Sequence, residues 1–171
     1  MNTKYNEQRI QDRVQKSIDE FYKHDSFLLK IDANERSITH KLAGYLENCF
    51  PRWDVDCEYN RDGREVKRLP SGTVISNEVK QPSAESVLSN DTTAVTVFPD
   101  IIIHKRGTKK NLLVIEVKKA KNNILPAQQK DLNKLSQFKR DPFNYCFAIF
   151  LVLGETGIEK PIGFEEPIHF E

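Results

Sequence analysis

Apolar side chains recur at Ile10, Val14, Ile18 and Phe21, one or two helical turns apart, so residues 5–23 are predicted to form an amphipathic helix. A second stripe, Ile38, Leu42, Leu46 and Cys49 with Tyr45 beside it, predicts a helix over about 35–50, stopped by Pro51. Asp32 and Asn34 both qualify as its N-cap, which puts Glu35 in the first turn along the buried stripe. The period then changes to two. Trp53, Val55, Cys57 and Tyr59 alternate with Asp54, Asp56 and Glu58, the pattern of a strand with one solvated face. After the turn signal Asn60-Arg61-Asp62-Gly63, residues 60–94 are a polar excursion that reads equally as a hairpin or a loop.

The apolar pattern resumes with Val95, Val97 and Ile101 to His104, bent at Pro99, and continues after a basic turn as Leu112 to Lys118. An uninterrupted run such as Leu112-Leu113-Val114-Ile115 suits a strand buried on both faces. Pro126 suits the first turn of a helix whose stripe is Leu132, Leu135 and Phe138, and Tyr145 to Leu153 is a further buried strand. Strand, helix, strand over 112–153 requires a parallel pair, whereas the short connection between Ile103 and Leu112 requires an antiparallel hairpin. The expected fold class is α/β, a mixed sheet flanked by helices.

At 171 residues the chain reads as a single domain over 1–171, with a helical extension at 1–30 and an acidic tail at 155–171. Cys49, Cys57 and Cys146 have no CxxC spacing, and the polar start and the shortness of the Cys146–Leu153 run fit neither a signal peptide nor a membrane span. The reading is a reduced, cytoplasmic protein. The net charge of +1 conceals segregation: residues 101–140 carry eleven Lys or Arg against two acids. Such a basic stretch suits a polyanion, and nucleic acid is the expected partner.

Two carboxylates and an ammonium lie on these apolar strands. Glu116 and Lys118 are two residues apart and project from one face. Folding the hairpin about Lys105 to Lys110 pairs positions whose numbers sum to roughly 215 or 216, which sets Asp100 opposite Glu116 or its immediate neighbour. Facing carboxylates repel unless a cation bridges them, and Mg²⁺ takes one or two carboxylates together with water and phosphate oxygens. Lys118 could then orient the water or neutralise developing charge. Asp54, Asp56 and Glu58 read as a solvated face, His40 and His104 as satisfied or exposed histidines, and Trp53, Tyr59 and Phe98 as core.

With Pro99-Asp100 and Glu116-Val117-Lys118 in this context, the chain resembles the PD-(D/E)XK nuclease superfamily over about residues 35–153. The resemblance implies a restriction-endonuclease-like core in α-β-β-β-α-β order, here with an extra N-terminal helix. It implies that Asp100 and Glu116 bind Mg²⁺ or Mn²⁺, that Glu35 completes the metal site, and that Lys118 assists the attacking water. In relatives a Gln or Lys early in the crossover helix stands near the metal, which nominates Gln128 or Lys130. The expected substrate is DNA, less often RNA, gripped by Lys105, Arg106, Lys119, Lys121 and Lys130, and a homodimer would allow both strands to be cut. The alternatives are a nuclease-like module that binds nucleic acid or protein without cleaving, and a subunit of a larger defence or repair assembly that docks through the N-terminal helix and acidic tail.

Overall fold

The computed structural model describes residues 6–59, 98–120 and 125–158, together with four two-residue strand pieces between 61 and 96. Three helices open the chain: α1 (Glu7–Asp25), the single turn α2 (Phe27–Lys30) and α3 (Glu35–Cys49). Then come β1 (Asp54–Cys57), the short pieces β2 (Arg61–Asp62), β3 (Glu65–Val66), β4 (Arg68–Leu69) and β5 (Val95–Thr96), the long hairpin β6 (Ile101–His104) and β7 (Asn111–Lys119), helix α4 (Leu125–Phe138) and β8 (Phe147–Leu153). The start of the polar excursion is thus a small β2–β3 hairpin, and β5 returns to pair with β4, so Val95 belongs to a strand separate from β6. The rest of the excursion and the tail beyond Ile158 lie outside the described residues.

The principal sheet has the order β1-β6-β7-β8. β1 and β7 flank β6 antiparallel, and β8 joins β7 in parallel. A parallel neighbour cannot be reached by a tight turn, and α4 supplies the crossover. β6, β7 and β8 are buried almost throughout, which is why they read as continuous apolar runs rather than alternating ones. On one face Ile101, Ile103, Leu113, Ile115 and Val117 pack with α1 and α3; on the other Ile102, Val114 and Phe150 pack with Leu135 and Phe138 of α4.

The N-terminal helix is more than an extension. Ile10, Val14, Ile18 and Phe21 are buried in the same core as α3 and the sheet, so its apolar stripe is already used within the chain. Tyr22 Oη also donates to the carbonyl of Gly154 at 2.8 Å, tying α1 to the end of β8. Of the two candidate caps for α3, Asn34 does the work: its side chain accepts from the Ser37 amide at 2.8 Å. Asp32 instead adopts a left-handed backbone (φ 53°) and pairs with Lys119. Asn34→Ala is expected to lower stability by about 1 kcal/mol in thermal or urea unfolding, the usual cost of a lost cap.

Asp54 and Asp56 are not a simply solvated face. Among the described strands β1 lies at one edge of the sheet, and the neighbouring β6 brings His104 beneath it; His104 is buried, and its Nε2 lies 2.8 Å from Asp56 Oδ2. The Arg106 side chain clasps the same carboxylate, and the Arg106 amide donates to Asp54 Oδ2 at 3.0 Å. Burial alone would raise the Asp56 pKa, but the hydrogen bonds from Arg106 and His104 outweigh it and hold the carboxyl below its ordinary value. A depressed pKa means that this carboxylate stabilises the fold above its unfolded pKa and ceases to do so as pH falls through the folded one. Asp56→Asn should therefore cost about 1.5–3 kcal/mol at pH 7, the range for a charged hydrogen bond, and the deficit should vanish in acid unfolding titrations.

Candidate active site

The hairpin register places the site. Ile101 pairs with Ile115 and Ile103 with Leu113, so the pairing sum is 216 as expected from the turn. Asp100, one residue before β6, lies at the level of Glu116, and its Oδ2 accepts from the Val117 amide at 2.8 Å. Strand alternation turns Glu116 and Lys118 to the face that carries Val114, the α4 side. Glu116 is 1 % exposed, so a carboxylate stands among core side chains.

Helix α4 answers it with charge. Lys134 Nζ lies 2.8 Å from Glu116 Oε1 and donates to the Phe98 carbonyl at 2.7 Å, which anchors it to the segment leading into Asp100. One turn earlier Asp131 is buried, its Oδ2 3.5 Å from Lys118 Nζ. Lys118 also donates to Glu35 Oε1 at 3.0 Å. Its ammonium therefore bridges α3 on one side of the sheet and α4 on the other, at the sheet end where both helices approach.

Asp131 and Lys134 were missed by the sequence reading, although a signal existed. They stand four residues before Leu135 and Phe138, so they prolong the apolar stripe of α4 with charge. The residues nominated in their place, Gln128 and Lys130, have side chains outside the described residues, as has Lys121. Phe98 is a correction: expected in the core, it is 46 % exposed beside the site, because its carbonyl turns inward to Lys134 while its ring faces out.

The residues nominated for nucleic-acid contact are spread over the fold. Lys105 and Arg106 follow β6, at the opposite end of that strand from Asp100, roughly 17–20 Å away along the chain at about 3.3 Å per residue. Arg106 is held by Asp54 and Asp56, and Lys119 is held by Asp32 and the carbonyl of Ala33. The Arg106 guanidinium and the Lys119 ammonium thus already have carboxylate partners within the chain, whereas Lys118 and Lys134 of the same basic stretch lie at the acids.

No family model, curated protein or solved structure matches this chain.

The electrostatics of the cluster are those of a site short of positive charge. Burial, opposed by Lys134 and reinforced by Asp100 and Asp131, pushes the Glu116 pKa up to about 8. Burial likewise raises that of Asp100, although the Val117 amide and the two lysines oppose it. For Lys118 the order of effects is reversed: burial would lower its pKa, but Glu35, Asp131 and Asp100 outweigh it and keep the ammonium firmly charged. Fully ionised, Glu35, Asp100, Glu116 and Asp131 exceed Lys118 and Lys134 by two charges. Glu116 Oε1 and Asp131 Oδ2 are buried without an aligned hydrogen bond, each with an ammonium near it.

That deficit fits a hard divalent cation. Among the described residues no three His, Cys, Asp or Glu side chains are gathered into a ready-made cage. Mg²⁺ does not need one, since it retains several waters and is usually held by one or two carboxylates. Asp100 and Glu116 could supply those, with Glu35 within reach of the same sheet end through Lys118.

Proposed function

We propose that this chain is a metal-dependent phosphodiesterase that hydrolyses nucleic acid, DNA before RNA, on a restriction-endonuclease-like core. The observation that carries the reading is the half-buried Asp100 set level with the buried Glu116, with Lys118 on the face of Glu116, in a cluster short of two positive charges. The fold supports it: an antiparallel β1-β6-β7 meander with β8 added in parallel, between α3 and α4, is the order that the PD-(D/E)XK resemblance implies.

Asp100 and Glu116 would hold Mg²⁺ or Mn²⁺. When bound, such an ion lowers the pKa of a coordinated water and offsets charge on the phosphoryl group. The chain's own residues do the rest. The Val117 amide fixes the Asp100 carboxylate, and Lys134 fixes that of Glu116, so neither must reorganise during the reaction. Lys118, kept protonated by its acidic neighbours, is suited to steady the attacking water by donation and to offset the charge that grows on the phosphate, rather than to accept a proton. Glu35 and Asp131 aim that ammonium from opposite sides.

The test is cleavage of single- and double-stranded DNA and of RNA with Mg²⁺, Mn²⁺ or EDTA. Metal-dependent cleavage is expected, and Asp100→Asn should reduce it by about 10²–10³-fold, the cost of losing one group aimed at the reacting charge, with the melting temperature retained. A second reading, a module that binds nucleic acid without cutting, draws on the ion pair that Glu116 already makes with Lys134. Binding with no cleavage in any metal would favour it.

A further inference from the structure

Beside the acidic cluster, and continuous with it through Glu35 and Asp100, lies a cavity of about 430 Å³. Its walls are the first two turns of α3, bearing Arg36 and His40, and the end of β1, bearing Cys57 and Glu58. We propose that this cavity receives one unpaired nucleobase carrying an exocyclic amine, adjacent to the phosphate at Asp100 and Glu116; the inference rests on the nucleic-acid-cleaving reading above.

Size is the first argument. The volume lies at the lower end of the roughly 300–1,000 Å³ of pockets that take small molecules. It has room for a single nucleoside unit but not for a stacked base pair, so a base entering it must have left the duplex or come from a single strand.

Charge is the second. Glu35, already paired with Lys118, and Glu58, paired with Arg36, line the cavity together with Asp100, so the lining has no cation left over for a second phosphate and offers carboxylate acceptors to a neutral ring with amine donors. Glu58 and Arg36 face one another with Oε1 and Nε 2.7 Å apart, and both side chains are open to solvent. Together they present an acceptor and a donor fork side by side. A carboxylate accepts from the exocyclic amine of cytosine, and a guanidinium donates to ring nitrogens and carbonyls; thymine offers a carbonyl where cytosine carries the amine.

Backbone geometry is the third. Glu58 adopts a left-handed conformation, φ 47°, which is uncommon for a residue with a β-carbon and recurs at functional sites. Its amide donates to the Asp100 carbonyl at 3.1 Å. The main chain of the base-reading residue is thereby tied directly to the residue that would hold the metal, so a base in the cavity sets the register of the strand at the cluster.

The experiment is fluorescence anisotropy of the full chain with labelled dC and dT oligonucleotides and a mixed-sequence duplex, in Ca²⁺ at pH 8. The single-stranded dC oligonucleotide is expected to bind about tenfold tighter than dT and tighter than the duplex. In Glu58→Gln, and in the second variant Arg36→Ala, the dC to dT ratio should fall toward one; both side chains are surface-exposed, so neither change threatens the core. A wild-type ratio near one, a ratio retained in both variants, or tighter binding of the duplex would overturn the inference while leaving the nuclease reading intact. No binding of any of the three, with no cleavage in Mg²⁺, would overturn both.

Discussion

Replacing Glu116 by Gln is expected to stabilise the metal-free protein while removing the proposed nuclease activity. The folded-state pKa of about 8, against an ordinary 4.5, means that the native protein binds this proton more tightly than the unfolded chain. Stability is therefore lost progressively as pH rises from about 4.5 to 8 and stays lost above that range. At 1.36 kcal/mol per pKa unit the loss is on the order of 3–5 kcal/mol. Gln has nearly the same shape and never ionises, so in EDTA the Glu116→Gln protein should unfold at higher urea than wild type at pH 8.5 and with little difference at pH 4.5. Mg²⁺ should narrow the gap by stabilising wild type alone, since a ligand that binds only the native state adds stability by mass action. Cleavage by the variant should fall by about 10²–10³-fold or more. A wild-type protein in EDTA that is no less stable at pH 8.5 than Glu116→Gln would show that Lys134 already compensates the carboxylate in full.

The second large effect concerns Lys118. Lys118→Met keeps the stem that passes between α3 and α4 but deletes the ammonium. Metal affinity, read by titration calorimetry with Mn²⁺, should be equal or several-fold tighter, because one positive charge has left an acidic site. Cleavage should nonetheless drop by about 10²–10⁴-fold, the range for a positioned group acting on a proton or developing charge. This opposition of affinity and rate separates Lys118 from the ligands, for which both should fall together. Weaker Mn²⁺ binding together with the lost rate would assign the lysine to holding Glu35 and Asp131 in place rather than to chemistry.

What the chain discloses without its structure depends on how local the determining interaction is. The Asp100–Glu116 register is legible because the short connection between Ile103 and Leu112 leaves the hairpin little freedom in how its strands pair. The α3 cap is legible only to within two residues, Asp32 and Asn34, because both types cap helices and both precede the apolar stripe; the bond to the Ser37 amide decides for Asn34. Asp131 and Lys134 are harder to see, since a charge on an apolar stripe reads as an interruption until a buried Glu116 is known to face it. The environment of Asp56 is hidden for another reason: alternation assigns it to the outer face of an edge strand, and only the pairing of Asp56 with Ile102 and Asp54 with His104 brings an imidazole and a guanidinium to it. Phe98 misleads because its ring suggests burial, whereas its position is dictated by a backbone carbonyl. The distribution of basic residues along the sequence says nothing of which end of a hairpin they occupy or which acids they already serve.

The irregularity between Ile103 and His104, where β6 and β7 change register before the turn, divides the hairpin into two mechanical parts. From Ile101 to Ile103 the pairing is regular and dictates how Asp100 meets Glu116 and Val117. Beyond the irregularity, the tip at Gly107 (φ 70°) and Thr108 is exposed and takes no part in that alignment. The tip is thus the natural place to graft a fluorophore, an affinity tag or a targeting peptide, because a change in its length is absorbed before it reaches the site. One residue added or removed within Ile101–Ile103 would instead reverse the facing of the side chains on one side of the change within β6 and break the alignment of Asp100 with Glu116.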